Sequence, residues 1–278
     1  MNKLLNLVIG ICLMLSNLQA QKLTLKWKTD TLLRVPESVL FDHERKTLYV
    51  ANIDGKPDAK DGAGFISKVN LEGKIENLKW VTGLDAPKGM GLFKSKLYVA
   101  DLSRVVVIDI PSGKISSKIE IEGAVFLNDI TVDKKGSVFI SDTRTGKIFT
   151  LQGDRAVVYF ESTEFKGING LLAEANDLYV LDFANGSNYK LSSDKKLNKF
   201  GVSSEGADGV VAYEKGGYFV SNWHGEIYHM SPSGEAKRIL DTKDQKISAA
   251  DIEYDPKSKL LFVPTFFSNS VMAYEVKE

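Results

Sequence analysis

A two-strand phrase that occurs six times along the chain constrains the fold more than any other feature. The phrase has a polar start, an apolar strand, a Lys/Gly or Asn/Asp turn, and a second strand that ends on Asp or Asn; residues 128–142 form one copy. The second strands begin at positions 48, 97, 138, 178, 218 and 261, which gives spacings of 49, 41, 40, 40 and 43 residues. A near-constant period of this size is typical of a β-propeller, in which each repeat forms one blade.

The sixth repeat is incomplete, because it has three predicted strands where the other repeats have four. These strands are predicted at 251–254, 259–263 and 270–276. An alternating segment at 23–29 precedes the first repeat and has no strand beside it in the sequence to pair with. Pairing it with the sixth repeat would leave the ring without an open sheet edge. The sequence therefore predicts an all-β, six-bladed propeller with four antiparallel strands per blade, closed by its N-terminal strand.

The first twenty residues differ in kind from the repeats. Lys3 supplies a positive charge, residues 4–15 are almost all apolar, and a short polar stretch ends at Ala20. This order is typical of a secretory signal peptide, and the apolar run is shorter than the roughly 20 residues of a spanning helix. We therefore expect residues 1–20 to be cleaved on export to the periplasm or the exterior, and residues 21–278 to form one propeller domain. The single cysteine, Cys12, lies within the signal segment.

Charge and motifs narrow the possible functions. The 278 residues include 36 Lys plus Arg and 36 Asp plus Glu, so the formal net charge is zero. This balance argues against a nucleic acid partner, which requires a basic surface, and after signal cleavage we expect no membrane association. The sequence contains no G-x-S-x-G, H-E-x-x-H or C-x-x-C motif. We therefore expect a small-molecule substrate or ligand, bound by residues that the fold brings together.

One set of polar residues closes the second strands. An Asp or Asn side chain at a strand end accepts hydrogen bonds from the backbone N–H groups of a turn. Because Asp or Asn recurs in five of the six blades, we interpret this set as architectural. Its members are Asn52, Asp101, Asp142, Asp182 and Asn222, with Thr265 as the exception.

A second set opens the first strands, which line the central channel of a propeller. Its position repeats but its residue type varies between blades, as expected of a binding site. Carboxylate and amide oxygens are the ligands that Ca²⁺ takes in proteins, so a metal site is one interpretation. A polar, water-filled mouth is the other. The set comprises Glu37, Lys88, Asn128, Asp129, Asn169, Asp208 and Asp251.

Other residues near the same face are candidates for shaping the mouth. They include Tyr49, Phe126, Trp223 and His224, although a lone loop histidine is more often a surface residue. The long insertion at 53–62 contains three aspartates whose spacing does not fit a calcium-binding loop, so we predict a solvated loop.

Four phrases resemble those of the senescence marker protein/gluconolactonase/luciferin-regenerating family. The resemblance extends over nearly the whole chain after residue 20 in the number and order of the repeats. The phrases are Pro36-Glu37-Ser38, Leu127-Asn128-Asp129, Ile168-Asn169-Gly170-Leu171 and Ala207-Asp208-Gly209-Val210.

The resemblance implies a six-bladed propeller with one divalent cation, most often Ca²⁺, at the channel mouth. It implies that Glu37, Asn169 and Asp208 are the metal ligands, and that Asn128 contacts the metal or the substrate. It further implies that Asp208 is the catalytic residue, as a general base or by orienting the attacking water in lactone hydrolysis.

Two departures from the family pattern bear on the substrate. Sugar-lactone hydrolases of the family often carry a substrate-binding arginine just before the position of Asn128, where this chain has Phe126 and Leu127. Lys88 occupies a channel position, where its ammonium would oppose a cation unless it pairs with Asp129 or Asp251. Alternatively, Lys88 contacts an anionic group of the substrate.

We therefore predict Lys88, Asn128 and Asp129 as substrate-binding residues. The predicted function is an exported, metal-dependent hydrolase of a lactone or a similar small ester. The alternative is a non-catalytic propeller that binds a small molecule or a protein partner at the channel mouth.

Overall fold

The computed structural model describes residues 22–277, so the predicted signal segment at 1–20 lies outside the described residues. The described chain consists almost entirely of β-strands, with three-residue 3-10 turns at Glu214–Gly216, Lys243–Gln245 and Phe266–Ser268. None of the helices among these residues could cross a membrane.

The described residues form twenty-four strands. The first half comprises β1 Lys22–Lys28, β2 Pro36–Asp42, β3 Thr47–Asn52, β4 Gly64–Val69, β5 Ile75–Leu84, β6 Pro87–Phe93, β7 Lys96–Asp101, β8 Arg104–Asp109, β9 Lys114–Glu120, β10 Leu127–Val132, β11 Val138–Asp142 and β12 Lys147–Gln152. The second half comprises β13 Arg155–Glu161, β14 Ile168–Glu174, β15 Asp177–Asp182, β16 Ser187–Leu191, β17 Leu197–Val202, β18 Ala207–Ala212, β19 Tyr218–Asn222, β20 Glu226–Met230, β21 Ala236–Asp241, β22 Glu253–Asp255, β23 Leu260–Pro264 and β24 Val271–Lys277.

These strands form six antiparallel four-stranded blades. The first five blades take four consecutive strands each, from β2–β5 to β18–β21, and the sixth has the order β22-β23-β24-β1. The N-terminal strand pairs with the C-terminal one, with Lys22 opposite Lys277 and Lys28 opposite Met272. The predicted propeller and its closure by the N-terminal strand are confirmed.

The inner strand of the sixth blade differs from its prediction, because β22 begins two residues after Asp251. Asp251 instead forms a parallel bridge with Ser38 of the first blade. The backbone N–H of Asp251 donates to the carbonyl of Glu37 at 3.0 Å, and the N–H of Val39 donates to the carbonyl of Asp251 at 3.3 Å. The two inner strands are therefore joined across the closure of the ring.

Side chains in the channel join other neighbouring inner strands. One oxygen of Asp129 accepts the N–H of Leu171 at 2.6 Å, and Thr131 Oγ1 accepts the N–H of Ala173 at 2.9 Å. An inner strand is an edge of its own sheet, and a buried N–H without a partner costs about 1–3 kcal/mol. Part of the polarity of the channel is therefore structural.

The apolar core lies between the blades, and the alternation of β3 shows how it forms. Leu48 and Val50 pack toward the sixth blade, whereas Tyr49 and Ala51 pack toward the second. Tyr49 is fully buried and stacks on Trp80 with 5.1 Å between ring centroids. The expectation that Tyr49 shapes the mouth is therefore wrong, because its place in the strand directs it into the core.

The architectural interpretation of the second-strand ends is confirmed. Asp142 accepts the N–H groups of Arg144 and Thr145 in the following turn, both at 3.0 Å. Its other oxygen accepts the N–H groups of Val125 at 2.6 Å and Phe126 at 3.2 Å, in the segment that leads into β10. Each such residue therefore also holds the chain just before the inner strand of its blade. Comparable bonds to that segment are made by Asn52, Asp101, Asp182 and Asn222.

Candidate functional site

A cavity of about 380 Å³ lies at the mouth of the channel, on the face where the second strands end. It collects one polar residue from each of the first five inner strands. The structure therefore brings together nearly all of the predicted site residues. They are Glu37, Lys88, Asn128, Asn169 and Asp208.

Each of these five residues is the second residue of its strand, and the local backbone explains why they converge. In every one of the five blades, the pairing of the inner strand shifts register directly after its first residue. Such bulges re-aim side chains and recur beside functional sites. The residue that follows is small in several blades. A Cβ atom at Gly170, for example, would collide with the carbonyl oxygen of Asp208 on the adjacent strand.

Asp208 and Asn169 are joined directly, because Asn169 Nδ2 donates to Asp208 Oδ1 at 3.0 Å. Both side chains are buried. Burial raises the pKa of Asp208 well above its ordinary value, the nearby Asp251 raises it further, and the bond from Asn169 opposes these effects. Asp208 is thus a buried carboxyl group whose ionised form requires a positive charge close by.

Glu37 faces the same cavity and has an unsatisfied oxygen. Its Oε2 atom is buried and has no hydrogen-bond partner. Burial raises the pKa of Glu37 well above its ordinary value, Asp208 raises it further, and the positive charge of Lys88 opposes both. A buried carboxylate oxygen without a hydrogen-bond partner in the protein can be paired by a bound ligand.

Lys88 forms the floor of the cavity and is 2% exposed. Its ammonium donates to the carbonyl oxygens of Pro57 at 2.7 Å and Ala86 at 3.1 Å. It also lies 4.5 Å from the centroid of the Phe126 ring. Burial lowers the pKa of Lys88, whereas Glu37 raises it. The ammonium therefore bonds to backbone carbonyls instead of pairing with Asp129 or Asp251.

Asn128 lines the cavity and Asp129 does not. Asn128 Nδ2 donates to Thr143 Oγ1 at 2.9 Å. The two oxygens of Asp129 accept the N–H groups of Ile130 and Leu171, both at 2.6 Å. Asp129 lines a separate cavity of about 330 Å³ further along the channel. Of the predicted substrate-binding residues, the structure therefore brings Lys88 and Asn128 to the mouth and leaves Asp129 outside it.

Aromatic side chains form most of the wall of this cavity, and the sequence predicted only some of them. Phe126 and Trp223 line the cavity as expected, whereas His224 is exposed and does not line it. Phe183, Phe266 and Phe267 were missed. A signal for Phe183 and Phe266 exists in the repeat, because the residue directly after each second-strand end is apolar in five of six blades. These residues are Ile53, Leu102, Phe183, Trp223 and Phe266, with Thr143 as the exception.

The insertion at 53–62 is mostly exposed, as predicted, but it also takes part in the site. Its residues Ile53 and Pro57 line the cavity. Asp58 lies 3.7 Å from Arg144 across the mouth. Within residues 22–277, no group of three or more His, Cys, Asp or Glu side chains is placed to hold a metal ion.

The predicted ligand set at the mouth contains two carboxylates and one amide, and its donor chemistry fits a divalent cation. Glu37, Asn169 and Asp208 offer oxygen ligands of the type that Ca²⁺ takes. The orphaned Glu37 Oε2 lacks the partner that a cation would provide. Burial, and after it the neighbouring carboxylates, raise the pKa values of Glu37 and Asp208.

Comparison with known proteins gives neighbours by structure but none by sequence. No protein-family model and no curated protein matches the chain. A putative gluconolactonase has a TM-score of 0.69 at 15% identity, covering 93% of each chain. A gluconolactonase from Xanthomonas campestris has a TM-score of 0.68 at 14% identity, covering 88% of this chain and 87% of that one.

A third neighbour is named as a lyase. It is a catalytically inactive virginiamycin B lyase from Staphylococcus aureus with quinupristin, with a TM-score of 0.65 at 12% identity over 92% of this chain and 99% of that one. Likeness at these identities shows the fold alone. The chain is therefore a six-bladed propeller whose structural neighbours include gluconolactonases, in agreement with the resemblance seen in its sequence.

Proposed function

We propose that the protein is an exported hydrolase that opens a lactone or a similar small ester in the mouth cavity. The observation that carries this proposal is the convergence of Glu37, Asn169 and Asp208 on one cavity, with Asn169 bonded to Asp208. In the reaction, water adds to the acyl carbon and the ring C–O bond breaks, which leaves a carboxylic acid and an alcohol. The gluconolactonases among the structural neighbours support this class of substrate.

We propose a divalent cation, in the first instance Ca²⁺, as the cofactor, with Glu37, Asn169 and Asp208 as its ligands. The orphaned Glu37 Oε2 and the raised pKa of Asp208 support this assignment. When bound, such a cation polarises the ester carbonyl and stabilises the developing oxyanion.

Asp208 is the proposed general base. Its Oδ1 accepts a hydrogen bond from Asn169, which leaves Oδ2 to take a proton from the attacking water. A carboxylate within hydrogen-bond reach of the attacking water can take its proton in the transition state. Asn169 keeps the carboxylate in a fixed orientation through the same bond.

Lys88 and Asn128 are the proposed substrate-binding residues. An ammonium has three donors, and Lys88 gives two of them to the carbonyls of Pro57 and Ala86. The third remains for an acceptor on the substrate. Asn128 uses its Nδ2 to bond Thr143, which leaves its amide oxygen for a ligand. Asp129 is left out of the proposal because backbone N–H groups occupy both of its oxygens.

Hydrolysis is favoured over the lyase reaction by the residue types in the cavity. The lyase neighbour is a histidine variant that is catalytically inactive. Among the described residues, the lining of this cavity includes no histidine but includes the carboxylates Glu37 and Asp208. A carboxylate that acts as a general base activates water directly, which suits hydrolysis.

A non-catalytic propeller that binds a ligand or a protein at the mouth is the competing candidate. The observation that favours it is the aromatic wall, where Phe267 is 66% exposed. Export is part of the main proposal and rests on residues 1–20 of the sequence.

Turnover of δ-valerolactone with Ca²⁺ present, followed by proton release at constant pH, tests the proposed function. We expect Asp208→Asn to lower kcat by about 100-fold or more, the usual contribution of general acid–base catalysis. Asp194→Asn, at an exposed turn, is the matched control and should keep the wild-type rate. A wild-type rate in Asp208→Asn would overturn the role of Asp208. Failure of the wild-type protein to open any lactone would favour the binding propeller.

A further inference from the structure

The wall of the mouth cavity is built from five aromatic side chains that come from four blades. Phe126 precedes β10, Phe183 follows β15, Trp223 follows β19, and Phe266 and Phe267 follow β23. Trp223 meets Phe266 edge-on at 5.4 Å and Phe267 edge-on at 5.9 Å between ring centroids. These side chains converge on one cavity and form an apolar wall. The five polar residues of the inner strands lie below this wall and form the polar floor of the cavity.

The backbone at the rim is held in an uncommon conformation. Phe266 has φ = 47°, in the left-handed region that large side chains rarely adopt. Strain of this kind recurs at ligand sites, where the surrounding structure maintains it. In this conformation Phe266 is buried against Trp223, and Phe267 is 66% exposed at the entrance. An aromatic ring so exposed at the mouth of a cavity is typical of a binding surface for apolar groups.

The wall offers little to a hydroxyl-rich ligand. Apart from the polar floor, Thr143 is the polar side chain of the lining, so the wall offers one hydroxyl, which also accepts from Asn128. A sugar lactone would bring several hydroxyl groups into this cavity, and a buried hydroxyl without a partner costs roughly 1–3 kcal/mol. The wall therefore disfavours such a ligand.

We propose that the ligand of the mouth cavity is a lactone that carries an aromatic or similarly flat apolar substituent. Its lactone group would lie on the polar floor near Asp208, and its substituent would lie against Trp223, Phe266 and Phe267. The volume of about 380 Å³ is near the lower end of small-molecule pockets and suits one or two rings. This inference rests on the proposed lactone-opening activity and names its substrate class.

A pair of lactones that differ only in the substituent tests the inference. The β-phenyl and β-methyl derivatives of δ-valerolactone share the reacting ring and its leaving group, and glucono-δ-lactone represents the hydroxylated class. We expect the phenyl compound to have a kcat/KM roughly tenfold above the methyl compound, since aromatic contacts add to the gain from burial. Glucono-δ-lactone should be the poorest of the three.

A variant of an aromatic residue at the rim tests how much the wall contributes to the substrate preference. Phe267→Ala should reduce the preference for phenyl over methyl about fivefold, through a lower kcat/KM for the phenyl compound. Because Phe267 is largely exposed, its loss should not impair folding. Val158→Ala, at an exposed apolar residue of β13, is the matched control and should leave the preference unchanged.

Calorimetric binding of the corresponding unreactive lactams distinguishes failure of this inference from failure of the proposed function. Tighter binding of the phenyl lactam without turnover of any lactone would support the aromatic ligand class and overturn the hydrolase. Turnover with equal or better use of the methyl compound, or of glucono-δ-lactone, would overturn the aromatic class and leave the hydrolase standing. Absence of both turnover and lactam binding would overturn both.

Discussion

The ammonium of Lys88 lies 4.5 Å from the centroid of the Phe126 ring, so the floor of the mouth cavity is joined to its wall. The same ammonium holds the insertion at 53–62 through the carbonyl of Pro57 at 2.7 Å. Lys88 thereby connects β6, the insertion and the segment before β10. The buried ammonium of Lys88 therefore holds several parts of the cavity in place.

Replacing Lys88 by methionine should lower stability and strengthen binding of Ca²⁺. The variant loses two hydrogen bonds from a charged donor, to Pro57 and Ala86, worth about 1.5–3 kcal/mol each. It also no longer buries a charge, which offsets part of this loss, so we expect a net loss of roughly 2–4 kcal/mol in the free energy of unfolding. It also removes a positive charge that opposes a cation near Glu37. Urea denaturation in chelator and calorimetric titration with Ca²⁺ measure the two effects.

Lys79→Met is the matched control for this experiment. Lys79 also lies over an aromatic ring, 4.6 Å from the centroid of Phe65, and lies 3.4 Å from Asp54 of the insertion. It is exposed, so its loss should change stability by no more than about 1 kcal/mol. Weaker Ca²⁺ binding in Lys88→Met than in the wild type would contradict the opposing role of the ammonium.

Asp142→Ala should destabilise the propeller and displace Phe126. The carboxylate accepts four backbone N–H groups, two of them in the segment at Val125 and Phe126. Removing these bonds should cost roughly 2–4 kcal/mol, by the usual value of such interactions. Urea denaturation measures the loss, and Asp109→Ala, at an exposed turn, serves as the control. A loss below about 0.5 kcal/mol would show that the second-strand ends do not hold the blades.

The repeat made the fold predictable from the sequence, whereas the wall of the site was harder to predict. The second-strand ends recur in type, so Asp142 and its counterparts identified the blades and the face at which they meet. Glu37 and Asp208 were identifiable because they stand at a repeated position with a changing residue type. Phe267 and the carbonyl of Pro57 reach the cavity from segments of irregular length, and a repeat carries no information about where such segments turn.

Asp129 in the channel is the predicted site residue that the structure places elsewhere. Asp129 stands beside Asn128 in the sequence, and both were predicted to bind substrate. Asn128 lines the mouth cavity, whereas Asp129 lies further along the channel. The carboxylate oxygens of Asp129 accept hydrogen bonds from the N–H groups of Ile130 and Leu171. Hydrogen bonds between the backbones and side chains of neighbouring blades depend on three-dimensional register, which one sequence does not reveal.

Glu226 should contribute to stability in acid. Burial raises the pKa of Glu226, but hydrogen bonds from Arg238, Lys243 and Ser204 outweigh burial and hold the pKa at about 2. A carboxyl group with a depressed pKa stabilises the folded state above its unfolded pKa, and this contribution disappears as the pH falls from about 4.5 to about 2. Glu226→Gln should therefore flatten the fall in unfolding free energy across this range.

Denaturation with urea at several acidic pH values measures this slope. Glu235→Gln removes an exposed carboxyl group near the same sheet and is the control. An unchanged slope in Glu226→Gln would mean that this ion-pair group does not contribute to acid stability.

Glu253 should have the opposite effect on the pH dependence. Burial raises its pKa to about 7, although backbone N–H groups of Tyr254 and Phe41 bond to it. Between pH 4.5 and 7 the folded state therefore keeps a proton that the unfolded state has lost, so stability falls as the pH rises through this window. Glu253→Gln should flatten this fall in unfolding free energy, because the amide does not titrate. Thermal melting across this range measures the slope, and a variant that loses stability as steeply as the wild type would contradict the assignment.

Removal and return of Ca²⁺ test whether Glu37, Asn169 and Asp208 hold a divalent cation on which lactone opening depends. Thermal melting and lactone turnover are measured on chelated protein as Ca²⁺ is added, with Glu37→Gln as the site variant and Asp58→Asn in the insertion as the control. We predict that turnover is lost on chelation and restored by Ca²⁺. At a hundredfold excess over Kd, the melting temperature should rise by roughly 5–10 °C in the wild type and in Asp58→Asn, but not in Glu37→Gln. A melting temperature that does not change with Ca²⁺, Mg²⁺, Mn²⁺ or Zn²⁺, or turnover that survives chelation, would contradict the claim.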